Sequence, residues 1–201
     1  MEYSNFINKH QGENIIVCGC GKSLSTLTNP QDFITIGVND IERLFVPNYL
    51  VILNNRHGFK DDRWNYVSGA KCPHIFTHIK DIGIVSKHNI VPLTLGTFGK
   101  LNLDDKTKVD YSSNSPYVAA VIAYQMGAKN IGMIGVDFTQ DHFFNKSGRH
   151  PLAGRLTSII KEYETLHKEF KSRGVNLYNL SAESLVKSIP YKSLNEFKNG
   201  L

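Results

Sequence analysis

The chain has 201 residues, 41% of them apolar and 20% charged, with a net charge of +5 and a pI near 9.0. These values suit one globular domain with a full core and exclude an extended disordered chain. The basic balance permits phosphate, nucleic-acid or anionic-surface partners without naming one.

No apolar run approaches the roughly 20 residues that a membrane-spanning helix needs. The N-terminal Met-Glu-Tyr-Ser-Asn-Phe-Ile-Asn-Lys-His stretch has no apolar core of a signal peptide, so a cytoplasmic protein without a transmembrane segment is expected. Three cysteines, Cys18, Cys20 and Cys72, do not make a disulfide framework, and no second Cys or His pair completes a zinc site with Cys18 and Cys20.

Asn14 to Val17 reads as a first strand, followed at once by Gly19-Cys20-Gly21-Lys22-Ser23-Leu24. A glycine turn after a first strand is where α/β proteins bring backbone N–H groups close to phosphate. It is not a Walker A loop, because Ile16 stands where that motif needs glycine. It also lacks the third glycine of a dinucleotide fingerprint. A tight turn with no ligand remains the plain alternative.

Phe33 to Val38 predicts a second strand ending at Asn39-Asp40, and Tyr49 to Leu53 a third ending at Asn54-Asn55-Arg56. Asparagine both donates and accepts hydrogen bonds, which suits ribose hydroxyls and base edges. It is also a common turn residue. A helix over Phe59 to Ala70 and a fourth strand over Ile75 to Ile79 follow. Residues 81–112 predict an irregular excursion or a small hairpin.

Ser115-Pro116 opens the clearest helix, with Ser115 read as its N-cap and Pro116 at the first position. Val118, Ala119, Val121, Ile122 and Met126 make its apolar face, and Gly127 ends it. Its N-terminus, near Asn114-Ser115, attracts anions. Ile131 to Val136 then reads as a central strand buried on both faces. Asp137 falls at its carboxyl end, where open α/β sheets collect ligands.

The polar stretch that follows carries Asp141, His142, Lys146, Arg149 and His150. Asp137 also suits a plain capping role for the loop's N–H groups. Phe143-Phe144 suits either a loop anchor or an aromatic platform. A long helix is expected over Leu152 to Lys171, a last strand over Val175 to Leu180, and a short helix over Ser181 to Val186. The alternation favours a single Rossmann-like α/β domain over residues 1–201, with a mostly parallel sheet flanked by helices.

Six stretches carry a resemblance: Val17 to Leu24, Val38-Asn39-Asp40, Ile52-Leu53-Asn54, Ser113 to Ala128, Ile134 to Gln140 and Asn179 to Leu185. Together they resemble the bacterial sialyltransferases of glycosyltransferase family 42 and related glycosyltransferase-like proteins. The most specific element is the Ser-Pro-Tyr helix leading into Gly-Ala-Lys-Asn-Ile-Gly-Met-Ile-Gly-Val-Asp-Phe. The resemblance implies that Gly19, Gly21, Ser23, Asn39 and Asn54 touch a cytidine nucleotide-sugar, and that Asn114 and Ser115 meet the nucleotide and its phosphate.

It further implies a histidine general base after the Asp-Phe pair: His150 by order along the chain, His142 second, with Asp137 beside them. Two positions depart from the family. Cys20 stands where the family has asparagine, and Thr139 where it has a tyrosine that steadies the leaving phosphate. Both bear on whether the donor sugar is sialic acid. Lys146, Arg149 or Arg155 would then supply cationic stabilisation.

No Asp-x-Asp metal motif is present, which favours a metal-independent reaction without a cofactor; a metal held by Asp137, Asp141 and a histidine is the alternative. The expected partners are a nucleotide-sugar donor and an acceptor hydroxyl, on a glycan by preference and on nucleic acid as an alternative. A homo-oligomer is compatible with all of this. Competing readings are pyrophosphate transfer of the 6-hydroxymethylpterin diphosphokinase type, using ATP and magnesium, and a non-catalytic nucleotide-binding module.

Overall fold

The computed structural model describes residues 1–139, 142–144 and 152–199. Its centre is a seven-stranded sheet in which every pairing is parallel. The strands are β1 (Asn14–Cys18), β2 (Ile34–Val38), β3 (Tyr49–Val51), β4 (Ile75–Thr77), β5 (Ile90–Pro92), β6 (Asn130–Ile134) and β7 (Asn176–Asn179). Their spatial order is β5-β4-β3-β2-β1-β6-β7. The chain winds outward from β1 to β5, then returns to pair β6 against β1 in register Asn14↔Asn130 to Cys18↔Ile134. That reversal makes the β1/β6 junction the switch point, where the strand ends diverge and open a crevice.

Alternate residues of each strand enter the two faces of the sheet, as the two-residue period of a strand requires. Ile15, Val17, Ile36, Val51, Ile131 and Met133 pack beneath helix α2 (Ser115–Gln125) and helix α3 (Leu156–Ser172). Ile16, Cys18, Leu50, Ile52, Ile75 and Ile134 enter the other face with Leu24, Ile41, Val67 and Phe197. Both faces are therefore covered, which explains why these strands read as continuous apolar runs.

Helix α2 differs from the expected amphipathic element. Residues Val118 to Ala123 are all fully buried, because α2 lies on the sheet and its other sides are covered by the N-terminal segment, residues around Leu103 and Val109, and the apolar stripe of α3. Helix α3 keeps one apolar stripe, Ile159, Tyr163, Leu166 and Phe170, as its spacing predicts. Gly174, at φ +77, closes α3 by donating its N–H to Lys171 O.

Elsewhere the structure corrects several boundaries. Asn114 rather than Ser115 is the N-cap of α2, its side chain accepting from Tyr117 N at 3.0 Å. The helix expected from Phe59 to Ala70 contracts to α1 (Arg63–Ser68), after a 3-10 turn at Arg56–Gly58. Residues 81–112 are not a hairpin: Ile90–Pro92 adds a parallel edge strand, and Leu95 makes a single bridge to Val109.

No helix forms over Ser181 to Val186. Ser184 Oγ donates to Val136 O and accepts from Val186 N, and Asn179 Oδ1 accepts from Ser181 N. These local side-chain bonds replace a helical ladder. The last helix is instead α4 (Leu194–Lys198), opened by a Ser193/Glu196 capping box. No helix among the described residues is long and apolar enough to cross a membrane. The three cysteines are free and buried.

Candidate active site

A cavity of about 310 Å³ opens at the carboxyl ends of β1, β2, β3 and β6 and at the N-terminus of α2. This is the switch-point crevice, and its size falls in the range of small-molecule sites. Of the residues singled out from the sequence, Cys20, Gly21, Asn39, Asn54, Asn114, Ser115, Asp137, Thr139 and His142 line it. Gly19, Ser23 and Arg155 do not line it. Asp141, Lys146, Arg149 and His150 lie outside the described residues.

The glycine turn works differently from a phosphate cradle. Gly19 N–H donates to Ile134 O at 2.8 Å, and Gly21 N–H to Gly135 O at 2.7 Å. A Cβ on Gly19 would overlap the Gly135 carbonyl, and one on Gly135, at φ +67, would overlap the Gly19 carbonyl. A Cβ on Gly21 would come within 2.6 Å of Asp137 Oδ2. The glycines are needed because two backbones press together at the switch point, and their amides are occupied in doing so.

Ser23 and Asp137 complete the same clasp. Asp137 is buried, and each of its carboxylate oxygens accepts from Ser23: Oδ2 from the backbone N–H at 2.7 Å, Oδ1 from the hydroxyl at 2.6 Å. Ser23 Oγ in turn accepts from Gly135 N–H at 2.8 Å. Both residues therefore tie the turn after β1 to the end of β6. Beyond the clasp, Gly21 bridges antiparallel to His142, and Phe143 N–H donates to Cys20 O. The backbone of residues 142–143 is thus pinned across the turn, which brings His142 to the cavity wall. Phe143 anchors it by packing against both halves of the core.

Asn114 is also heavily engaged. Its Oδ1 accepts from Tyr117 N and, at 2.6 Å, from the Tyr163 hydroxyl, while Nδ2 donates to Ser112 Oγ. Burial pushes the Tyr163 hydroxyl well above its ordinary range, which keeps it a hydrogen-bond donor. The start of α2 is in this way held from α3.

Two lining residues, by contrast, have buried polar atoms with no partner among the described residues: Asn39 Oδ1 and Ser113 Oγ. Buried polar atoms are nearly always paired in native proteins, so an orphan in a cavity marks a place for a ligand group. Asn39 sits in the left-handed region at φ +56, which directs the chain sharply out of β2, and Phe138 sits there at φ +53. Such conformations cluster where a binding surface is shaped.

Sequence reasoning missed Ser113 and Arg63. Arg63 is the one lysine or arginine among the described lining residues. Its Nε lies 3.0 Å from each oxygen of Asp40, and its Nη2 is 2.5 Å from Asp40 Oδ1. Asp40 is wholly buried and also accepts from Arg43 Nε at 3.4 Å, while Arg43 bonds exposed Asp62 as well. Arg63 opens a short helix in a polar stretch and reads from sequence as a surface residue. The buried Asp40 that turns it toward the strand ends was legible only as half of Asn39-Asp40. The Cys20 thiol points into this network, toward Val38 O and Asp40, and burial raises its pKa strongly, so it stays protonated.

No family model matches the sequence, and no curated protein matches it. Solved structures do match. The sialyltransferase CstII from Campylobacter jejuni, in complex with a substrate analogue, cytidine-5'-monophosphate, superposes with a TM-score of 0.55 over 92% of this chain and 86% of that one, at 15% identity. This chain has the fold of that sialyltransferase. The sialyltransferase CST-II in complex with a trisaccharide acceptor and CMP matches with a TM-score of 0.54 at 16% identity, over 91% of this chain and 87% of that one. An alpha-2,3-sialyltransferase from Campylobacter jejuni in apo form matches at 0.50 and 16%, over 94% and 84%. The shared fold covers 91–94% of this chain and 84–87% of those chains.

Proposed function

We propose that this chain is a glycosyltransferase that moves a sugar from a nucleotide-sugar donor, cytidine-type by preference, to an acceptor hydroxyl. The observation that carries the reading is the switch-point cavity lined by Asn39, Ser113 and the start of α2, with two orphaned buried oxygens, in a fold whose solved examples bind CMP. Asn39 Oδ1 accepts from a ligand hydroxyl or amine, Asn54 supports it at the end of β3, and Ser115 and Thr139 supply hydroxyls at the phosphate end. The acceptor is a glycan by preference, since the CST-II complex holds a trisaccharide acceptor.

Transfer requires a base to take the acceptor proton. That role falls to a histidine of the segment after Asp137: His142, which lines the cavity, or His150, which the family order favours. No metal is required in this reading. Asp137, the acid at the cavity floor, has both oxygens occupied by Ser23, which supports a positioning role over metal ligation. The enzyme is read as cytoplasmic.

The test is calorimetric titration of CMP and UMP, together with a turnover screen over nucleotide-sugars and ATP, with and without chelator. CMP binding that weakens about fivefold or more in Asn39→Ala, as expected for one lost buried hydrogen bond, supports the site. Turnover of ATP alone, abolished by chelator, would replace this reading with pyrophosphate transfer.

A further inference from the structure

To an anion the cavity offers the N-terminus of α2 and, among its described lining residues, one cationic side chain, Arg63. A nucleotide-sugar carries at least one phosphate, yet the turn amides that would normally face it, those of Gly19 and Gly21, are bonded to the Ile134 and Gly135 carbonyls. Resting on the nucleotide-sugar reading above, we propose that Arg63 is the residue that reads an oxyanion of the donor. That oxyanion is either its phosphate or the carboxylate of an acidic sugar.

Four observations carry this. Arg63 lines the cavity, as do Asn54 and Gly58. Its guanidinium is already oriented, since Asp40 takes up Nε and Nη2 and the Cys20 thiol lies against the same group, and no oxygen acceptor is found for Nη1 among the described residues. A guanidinium held on one edge by a carboxylate keeps its other edge aimed and ready, so little side-chain entropy is lost when an anion arrives. Phe59 and Phe144, with ring centres 5.7 and 5.8 Å from its central carbon, confine it further.

The buried part of the charge network around it, Asp40 with Arg43 and Arg63, holds one positive charge in excess. Asp40 is shared between Arg63 and Arg43, so one buried carboxylate faces two guanidinium groups, and the fourth member, Asp62, is solvent-exposed and bonded to Arg43. The other carboxylate at the cavity, Asp137, is held by Ser23.

The experiment titrates cytidine, CMP, CMP-N-acetylneuraminate and inorganic pyrophosphate into the wild-type protein, Arg63→Met and Arg63→Lys. Loss of a charge-assisted hydrogen bond predicts about ten- to hundredfold weaker binding in Arg63→Met, with Arg63→Lys in between. If Arg63 reads the phosphate, CMP weakens and cytidine does not. If it reads the sugar carboxylate, CMP is unchanged and CMP-N-acetylneuraminate alone weakens.

Equal affinity of wild type and Arg63→Met for CMP and CMP-N-acetylneuraminate overturns the assignment and leaves the nucleotide site standing. Arg63-dependent binding of pyrophosphate by a wild-type protein that ignores all cytidine ligands keeps the assignment and removes the cytidine reading. Binding of none of the four overturns both. Should Arg63→Met fail to fold with Asp40 left short of a partner, Asp40→Asn/Arg63→Met removes both charges together and gives the same comparison.

Discussion

Replacing Asp137 probes the clasp that holds the cavity open. In Asp137→Ala, Ser23 N–H and Ser23 Oγ both lose their acceptor, and the hydroxyl that receives Gly135 N–H loses its orientation. Each buried donor left without a partner costs about 1–3 kcal/mol, and Ser23 is partly exposed, so the lower half of that range applies to each. The expected loss is roughly 2–4 kcal/mol, read as a fall in the urea midpoint at constant slope. Asp137→Asn keeps an acceptor for Ser23 N–H and places an amide where Ser23 Oγ can accept, so it should cost only about 0.5–1.5 kcal/mol. A double-mutant cycle with Ser23→Ala should show the two residues coupled by at least about 0.5 kcal/mol, because they share the same bonds. Stability unchanged in Asp137→Ala, or strict additivity with Ser23→Ala, would refute the clasp and return Asp137 to direct chemistry.

The same junction predicts that Gly135→Ala fails. A Cβ there overlaps the Gly19 carbonyl at a backbone angle of φ +67, and a cost of about 2–4 kcal/mol should appear in thermal melts. Of the two histidines, the base should lower turnover roughly 10²–10⁴-fold when changed to alanine, with CMP affinity and melting temperature nearly unchanged. If His142→Ala and His150→Ala both keep full turnover, the base is not histidine. Burial raises all three thiols, Cys72 to about 12 from an ordinary 9.0. The native protein should therefore resist a thiol reagent at pH 8 until urea is added. Because the unfolded thiols ionise near 9.0 and the folded ones well above it, their contribution is complete below pH 9 and lost as pH rises toward 12. The melting temperature should accordingly fall between pH 9 and 10.5.

Much of this protein is determined by local pattern. The apolar runs at Asn14–Cys18, Ile34–Val38 and Asn130–Ile134 each specify a strand buried on both faces, and the stripe from Ile159 to Phe170 specifies a helix lying on that sheet. These signals survive because burial is encoded residue by residue along one segment. The location of the cavity was legible for a related reason: polar residues at the ends of parallel strands converge on one edge whatever the details.

Only the tertiary structure decided which of those polar residues remain open to a ligand. Gly19, Gly21, Ser23, Asn114 and Asp137 stand out in the sequence, yet their hydrogen bonds are taken up by partners more than a hundred residues away or, for Asn114, by Tyr163 on α3. Arg63, by contrast, looks like a surface arginine and faces the cavity because a buried aspartate 23 residues earlier holds it there. Whether a donor or acceptor is satisfied depends on atoms that only the packed chain brings within about 3 Å, and no local pattern carries that information.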